Sequence, residues 1–244
     1  MLRGHGRAAY TTSPLPLVVR TWNLYHGRTK PNSGRTHLER MVRLVSAGAH
    51  LVALQEVPSW ALGRLEAWSG AAVLGAVARP ARLGTVGRRL TSIAPDLLRS
   101  GLNGQANALL VRAPYEAEAG HRVVELRAAG ALERRVCQLV RVRAGERAIL
   151  LANLHATAHF DDLATEEVER VADLVGGEEP AIVCGDFNVR GLGLPGFSPP
   201  GRGIDQILVR GLRFAEEPAA WKPERRAIGP RLLSDHAPVE AVIA

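Results

Sequence analysis

The sequence predicts an α+β domain of layered, largely antiparallel sheets. Strand-like apolar runs outnumber helical ones, and many follow one another with no helix between them. That pattern favours segregated sheets over a doubly wound fold. Several runs also stop at a polar residue able to bind a metal or move a proton. Residues 181–184 are the clearest case. They form an apolar run suited to a strand buried on both faces, and after Gly185 come Asp186 and Asn188. Residues at i and i+2 of a strand share a face, so a carboxylate and an amide arrive together at one strand end. Burying them is costly without partners or chemistry. Taken alone, the segment also reads as a turn with Asp and Asn as turn formers.

In chain order, residues 1–16 have no period and read as a flexible lead-in to one domain spanning 17–244. Residues 17–24 form a strand-like run ending at Asn23, and 25–35 read as a loop rich in Gly, Pro, Asn and Ser. Thr36 and Glu39 have the spacing of a capping box. Leu38, Met41, Val42 and Val45 then recur at helical spacing until Gly48. Residues 49–57 are a second strand with Gln55 and Glu56 at its end, and 59–70 read as a helix with Trp60 and Trp68 as packing residues. A strand over 71–77 gives way at 79–103 to a basic loop with Arg79, Arg82, Arg88, Arg89 and Arg99 and a short helix near Asp96. Strands follow at 106–111, 123–124 and 136–142, then a hairpin turn at 144–146 into 148–153, with His155 just beyond. Val168, Val171, Ala172 and Val175 give an amphipathic helix over 166–175, and Asp161-Asp162 read as its solvated approach. Gly191, Gly193 and Gly196 spell a dinucleotide fingerprint, but Pro195 lies inside it and no helix follows, so it is rejected. Residues 204–209 form a strand carrying Asp205. A loop with Trp221 precedes Ser234-Asp235-His236 and a last strand over 239–243.

A chain of 244 residues can bury a sizeable core, and 46% hydrophobic with 23% charged residues is a globular balance. No apolar run approaches the roughly 20 residues of a membrane helix. No continuous apolar segment near Met1 suggests a secretory signal. Cys137 and Cys184 lie far apart without metal spacing and read as reduced core residues, which together with the missing signal suggests a cytoplasmic protein. The net charge of +7 favours polyanionic partners. Only Lys30 and Lys222 are lysines, a skew that looks like codon bias, so the charge supports nucleic acid only weakly.

Asn23, Glu56, Asn107, Asn153, His155, Asp186, Asn188, Asp205, Asp235 and His236 are the polar residues gathered at or near strand ends. Carboxylates and amides are the oxygen ligands of Mg²⁺, and histidines with spare carboxylates suit proton transfer. Phosphate-ester hydrolysis needs both sets. Taken singly, Asn23 reads as a turn cap, Glu56 as a surface carboxylate and His155 as a structural histidine. Asp205, inside an apolar strand, is harder to place without a partner.

The order of motifs resembles the endonuclease/exonuclease/phosphatase superfamily. The matching pieces are Thr21-Trp22-Asn23-Leu24, Leu54-Gln55-Glu56-Val57, Ala106-Asn107-Ala108-Leu109, Asn153-Leu154-His155, Gly185-Asp186-Phe187-Asn188, Ile204-Asp205 and Ser234-Asp235-His236. The resemblance implies a four-layered α/β sandwich of the deoxyribonuclease I-like kind, two mainly antiparallel sheets flanked by helices. It implies Glu56 as principal Mg²⁺ ligand (Mn²⁺ being the alternative ion), with Asn23 and Asp235 on the metal side. It also implies His236 as the histidine meeting the scissile phosphate, oriented by Asp205. Asp186, supported by Asn188, takes the role of activating water. His155 matches the second histidine of the deoxyribonuclease-like and phospholipase-like branches. Asn107 and Asn153 fall on the substrate side.

Two positions depart from the family pattern. Gln206 stands where an aromatic is usual, and Gly203 stands where a basic residue is usual. Both bear on substrate class more than on chemistry. The expected activity is that of a monomeric, Mg²⁺-dependent phosphodiesterase acting on DNA or RNA. A sphingomyelin, phosphoinositide or small phosphodiester substrate is the alternative. A non-catalytic nucleic-acid-binding module is the competing class, and no residue of the ordered set is eroded to favour it.

Overall fold

The apolar runs become strands whose burial follows their hydrophobicity. The computed structural model describes residues 16–80, 104–126, 134–178 and 180–244. Most of the expected lead-in and of the basic loop, with the helix near Asp96, lies outside them. The first strands are β1 (Leu17–Asn23), β2 (Thr29–Lys30), β3 (Leu51–Val57), β4 (Ala72–Arg79), β5 (Gln105–Val111), β6 (Glu116–Ala117) and β7 (Arg122–Leu126). They are followed by β8 (Arg135–Ala144), β9 (Arg147–His155), β10 (Ala181–Asp186), β11 (Asp205–Arg210), β12 (Phe214–Ala220), β13 (Ala227–Ile228), β14 (Arg231–Leu233) and β15 (Val239–Ile243). The helices are α1 (Leu38–Ser46), α2 (Leu65–Ser69) and α3 (Asp161–Val175).

One sheet has the order β12-β15-β1-β3-β5-β4, and the other runs β11-β10-β9-β8-β6 with β7 also on β8. A small third sheet is β13-β14-β2. Among the described strands, pairing is parallel only between β1 and β3 and between β9 and β10. These are the two pairs joined by crossovers carrying helices, α1 and α3, as parallel neighbours require. Leu17, Val19, Leu51 and Leu109 of the first sheet meet Val140, Leu151, Ile182 and Ile207 of the second in a buried layer between them. Leu38, Met41, Val42 and Val45 of α1 cover the outer face of the first sheet, and Val168 and Val171 of α3 cover that of the second. The result is the expected four-layered α/β sandwich. Both cysteines are free and buried, and burial pushes the Cys137 thiol up to about 12.

Three local expectations change. The capping box does not form. Because α1 begins at Leu38, Glu39 falls too early to reach back and pairs with Arg43 at 2.9 Å, while Thr36 Oγ1 accepts from Leu38 N at 3.4 Å. The helix expected over 59–70 divides into a 3₁₀ turn, Ser59–Arg64, and α2, which ends at Gly70 in the left-handed conformation. The loop expected before Ser234 contains β12. Its Glu216-Glu217-Pro218 sequence hides a strand, because β12 is an edge strand paired only with β15 through two register shifts, where Pro is tolerated.

Gly185 shows how tightly β9 and β10 approach. Its φ is +145°, and a Cβ there would lie 2.0 Å from the carbonyl oxygen of Leu154. The next register pair outward is His155 with Asp186, so this close approach sets the separation of two candidate site residues. Gly185→Ala is expected to lose at least about 2 kcal/mol of stability, measured by urea unfolding, because it adds backbone strain to a collision with main chain.

Candidate active site

Strand register brings the polar ends together. Asn23 pairs with Gln55 across the parallel β1–β3 ladder, so Asn23 and Glu56 leave the first sheet at the same edge. His155 pairs with Asp186, and Asp186 with Asp205, in the second sheet. Ser234, just before β15, fixes the last segment: its Oγ donates to the carbonyl oxygen of Asn23 at 2.7 Å and accepts from His236 N at 3.1 Å. The indole of Trp22 donates to the His236 carbonyl at 3.0 Å.

Asp186 lies at the centre and is buried. Asn23 Nδ2 donates to its Oδ2 at 2.9 Å, and Asn188 N donates to its Oδ1 at 3.0 Å. The Asn188 side chain donates to Ala156 O at 2.8 Å, tying this turn to the end of β9. Asp186 Oδ2 also lies 3.6 Å from His155 Nε2 and 3.8 Å from His236 Nε2. Burial, reinforced by the nearby Asp205 carboxylate, pushes the Asp186 pKa up to about 7 despite the Asn23 and Asn188 donors.

The two histidines are driven in opposite directions. Burial opposes a charge on His236, but its Nδ1 lies 2.9 Å from Asp205 Oδ2, with Asp186 and Asp235 also near. The carboxylates win and push its pKa up to about 9, so it is an imidazolium at neutral pH. His155 is held well below the usual histidine range, first by burial and then by Arg135, His236 and His26. Gln105 Nε2 lies 3.0 Å from its Nδ1, and Arg135 Nη1 lies 3.3 Å from Nδ1 and 3.5 Å from Nε2. The amide nitrogen of Gln105 can only donate and meets Nδ1 alone, so the neutral ring carries its proton on Nε2, facing Asp186 and Glu56. Glu56 Oε1 is 4.0 Å from that nitrogen, and Glu56 Oε2 is 3.4 Å from His26 Nε2.

The backbone is bent to achieve this. Tyr25, His26, Glu56, Asn188 and Ser234 all have positive φ, and each belongs to the cluster or adjoins it. Left-handed non-glycine residues cost energy and gather where a site fixes geometry. Beyond His155, Glu167 of α3 accepts from Thr157 N at 2.6 Å and from Thr157 Oγ1 at 2.9 Å, anchoring the segment after β9.

The structure therefore joins Asn23, Glu56, His155, Asp186, Asn188, Asp205, Asp235 and His236 at one end of the sandwich. Asp235 Oδ1 stands 4.0 Å from His236 Nε2. Two expected residues lie elsewhere. Asn153 is fully buried beneath the cluster with both polar atoms occupied: Gln55 donates to it at 2.8 Å, and it donates to Gln138 Oε1 at 3.0 Å and to the Leu54 and Ala108 carbonyls. It bridges the two sheets instead of facing a substrate. Asn107 is 1% exposed and donates to Val136 O at 3.0 Å, again a link between sheets. Conversely, Gln105 and Arg135 belong to the cluster although sequence reading left them aside, and so does His26, which reads as an ordinary histidine that follows the strand ending at Asn23 closely enough to touch substrate. Gln105 stands two residues before Asn107, on the same strand face, and that spacing was a usable signal. Arg135 sits among charged residues and offers no such signal.

The donors suit a hard divalent cation. Glu56, Asp186, Asp205 and Asp235 supply carboxylate oxygens and Asn23 an amide. One ligand atom each from Asp186, Asp205 and His236 lie within 4.8 Å of one another.

The sequence profile of the Endonuclease/Exonuclease/phosphatase family matches residues 21–236. The chain belongs to this family. No curated protein sequence matches it. Its fold is similar to that of an endonuclease/exonuclease/phosphatase from Beutenbergia cavernae, with TM-score 0.70 and 17% identity over 93% of this chain and 71% of that one. It is also similar to a mannosyl-6-phosphatase from Bacteroides thetaiotaomicron, with TM-score 0.61 and 17% identity over 93% and 99% of the two chains. TDP2 from Caenorhabditis elegans gives TM-score 0.62 and 15% identity over 97% and 76%. The Endonuclease/Exonuclease/phosphatase family includes hydrolases of phosphoester bonds. Among the described residues no helix is long and apolar enough to cross a membrane.

The Asp186 pKa has a consequence for stability. It is raised above its unfolded value near 3.8, so its contribution to folding is fully present below that pH and is lost as pH rises through about 7. In EDTA, Asp186→Asn is expected to raise Tm by about 4 °C at pH 8 and by much less at pH 4, read by differential scanning calorimetry.

Proposed function

We propose that this protein is a metal-dependent phosphodiesterase and that its substrate is nucleic acid. The observation that carries the reading is the pair formed by Asp186 and His236, 3.8 Å apart. One is a carboxylate able to take a proton near neutral pH, and the other is an imidazolium able to give one. Attack of water on phosphorus with departure of an alkoxide needs both transfers.

In this reading Asp186 accepts the proton of the attacking water, and Asn23 and Asn188 hold its oxygens in place. His236 donates a proton to the leaving oxygen, with Asp205 on Nδ1 fixing the ring so that Nε2 faces the reaction. His155 presents its Nε2–H to a phosphoryl oxygen, because Gln105 donates to its other nitrogen. A Mg²⁺ or Mn²⁺ ion held by Glu56, with Asp235 and Asn23 beside it, would neutralise phosphate charge and polarise the phosphoryl bond. That side is preferred over the Asp186, Asp205 and His236 trio because His236 already carries a proton at neutral pH. The net charge of +7 favours a polyanion over a singly charged or zwitterionic diester.

The test is turnover of a single-stranded oligonucleotide, plasmid DNA, sphingomyelin and bis-p-nitrophenyl phosphate, with Mg²⁺ and with EDTA. Nucleic acid should be cut only with metal, and His236→Ala should lower kcat by about 10²–10⁴-fold. Undiminished activity in both Asp186→Ala and His236→Ala would refute the mechanism. Turnover of only the lipid or small diester would keep the mechanism and remove nucleic acid.

The pH profile is a second expectation. kcat/KM should rise as Asp186 ionises near pH 7 and fall as His236 deprotonates near pH 9. In His236→Asn the alkaline limb should disappear from whatever activity remains.

A further inference from the structure

A second feature lies outside the catalytic cluster. Between α1 and the segment from Ser59 to α2 runs a groove of about 610 Å³. Its working surface is Trp60, Trp68, Arg40, Arg43, Arg64 and His37. Both indoles are partly buried on the underlying core, while the three arginines are exposed. The Arg64 guanidinium lies over the Trp60 ring, 5.5 Å from its centroid. The Trp60 Nε1–H has no hydrogen-bond partner among the described residues. Glu39 compensates Arg43, at 2.9 Å, and leaves the groove with net positive charge. His37 reports the same field: after burial, its pKa is lowered by Arg40, Arg231 and Arg35.

Topology places one end of this groove, at His37 and Trp60, beside the catalytic end of the sandwich, and the groove runs from there along α1 and α2 toward Trp68. The crossover from β1 to its parallel neighbour β3 puts the start of α1 at the end of the sandwich where Asn23 and Glu56 emerge. Trp60 follows Glu56 by four residues along the chain. On the other wall, His37 N donates to Gly27 O at 2.7 Å, and the preceding residue, His26, faces Glu56.

We infer that this groove is a binding site for a single-stranded segment of the nucleic acid whose phosphodiester lies in the cleft, with bases against Trp60 and Trp68 and phosphates on Arg40, Arg43 and Arg64. Flat π faces beside guanidinium groups match unstacked bases and their backbone. An acidic peptide would use the arginines but leave the indoles idle. A lipid surface calls for protruding apolar side chains, and the exposed large hydrophobics among the described residues, Val77, Val123 and Phe160, are not in the groove. The inference rests on the nuclease reading above and names the contacts that hold the strand.

The experiment uses the full-length protein, wild type and Arg40→Gln/Arg43→Gln/Arg64→Gln, all three being surface positions. Each is assayed for turnover of bis-p-nitrophenyl phosphate and of a 12-nucleotide single-stranded DNA. Oligonucleotide binding is followed separately in EDTA by quenching of tryptophan fluorescence across a salt series. The triple variant should turn over the small diester at the wild-type rate but bind the oligonucleotide at least tenfold more weakly. Its slope of log affinity against log salt should be shallower by about 2. Trp68→Leu should weaken oligonucleotide binding about tenfold with the salt slope unchanged.

If the oligonucleotide is cut and the triple variant binds it with wild-type affinity and slope, the groove assignment is overturned and the nuclease reading stands. If the oligonucleotide is bound through the groove but not cut, the assignment stands and the nuclease reading falls. If it is neither bound nor cut, both fall.

Discussion

Asp186 is a carboxylate buried where the two sheets meet, and it is held there by an amide from the opposite sheet. The bond from Asn23 at 2.9 Å is the joint on which the site depends. It fixes the end of β1 against the end of β10. Everything else in the cluster is placed relative to that pair. Glu56 follows the residue paired with Asn23, His155 and Asp205 are register partners of Asp186, and Ser234 is bonded to the main chain of Asn23. A two-sheet sandwich needs its layers aligned at one end if residues from both are to act on one atom. Below Asp186 the same alignment is repeated by Gln55, Asn153 and Gln138, a buried set of amides satisfied across the interface. Such groups favour one relative placement of the sheets, because any slip leaves them unpaired in a low dielectric.

The electrostatic consequence is a division of labour between chemically identical side chains. His236 sits among carboxylates and is charged, whereas His155 sits beneath arginine and burial and is neutral. Asp186 is buried, with the Asp205 carboxylate nearby, and so does not behave as an ordinary carboxylate. Groups with pKa values displaced by their surroundings in this way suit acid–base work. The fold carries the cost as strained backbone at Glu56, Asn188 and Ser234 and as an unfavourable carboxylate burial. Stability is given up locally for geometry.

Much of this was legible in the sequence. Buried strands announce themselves as apolar runs, and a polar ending that has a bland reading on one run loses it when it recurs on several runs in one order of motifs. Asn23, Glu56, Asp186, Asp205 and His236 were found that way, supported by the order of their motifs. Asn153 and Asn107 showed the same signal and had a different fate. A strand end says that a polar group is buried, but whether it faces a cleft or the opposite sheet depends on packing that no linear pattern encodes. Arg135 was missed, and His26 given no role beyond its nearness to substrate, for the converse reason. Each lies in a polar stretch that looks solvated, and only tertiary contact buries it. The edge strand β12 escaped notice because an edge tolerates Pro218 and adjacent glutamates, and with them loses the alternation by which strands are recognised.

The most direct measurement is a ¹⁵N–¹H NMR titration of the histidine side chains in metal-free protein. His236 should remain an imidazolium past pH 8 and lose its proton near pH 9, while His155 stays neutral with its proton on Nε2 across the range. An Asp205→Asn variant should bring the His236 transition down toward the ordinary value. A His236 that titrates near pH 6.5 in the wild type, or a His155 that charges in the same range, would contradict the account of how this cluster divides acid from base.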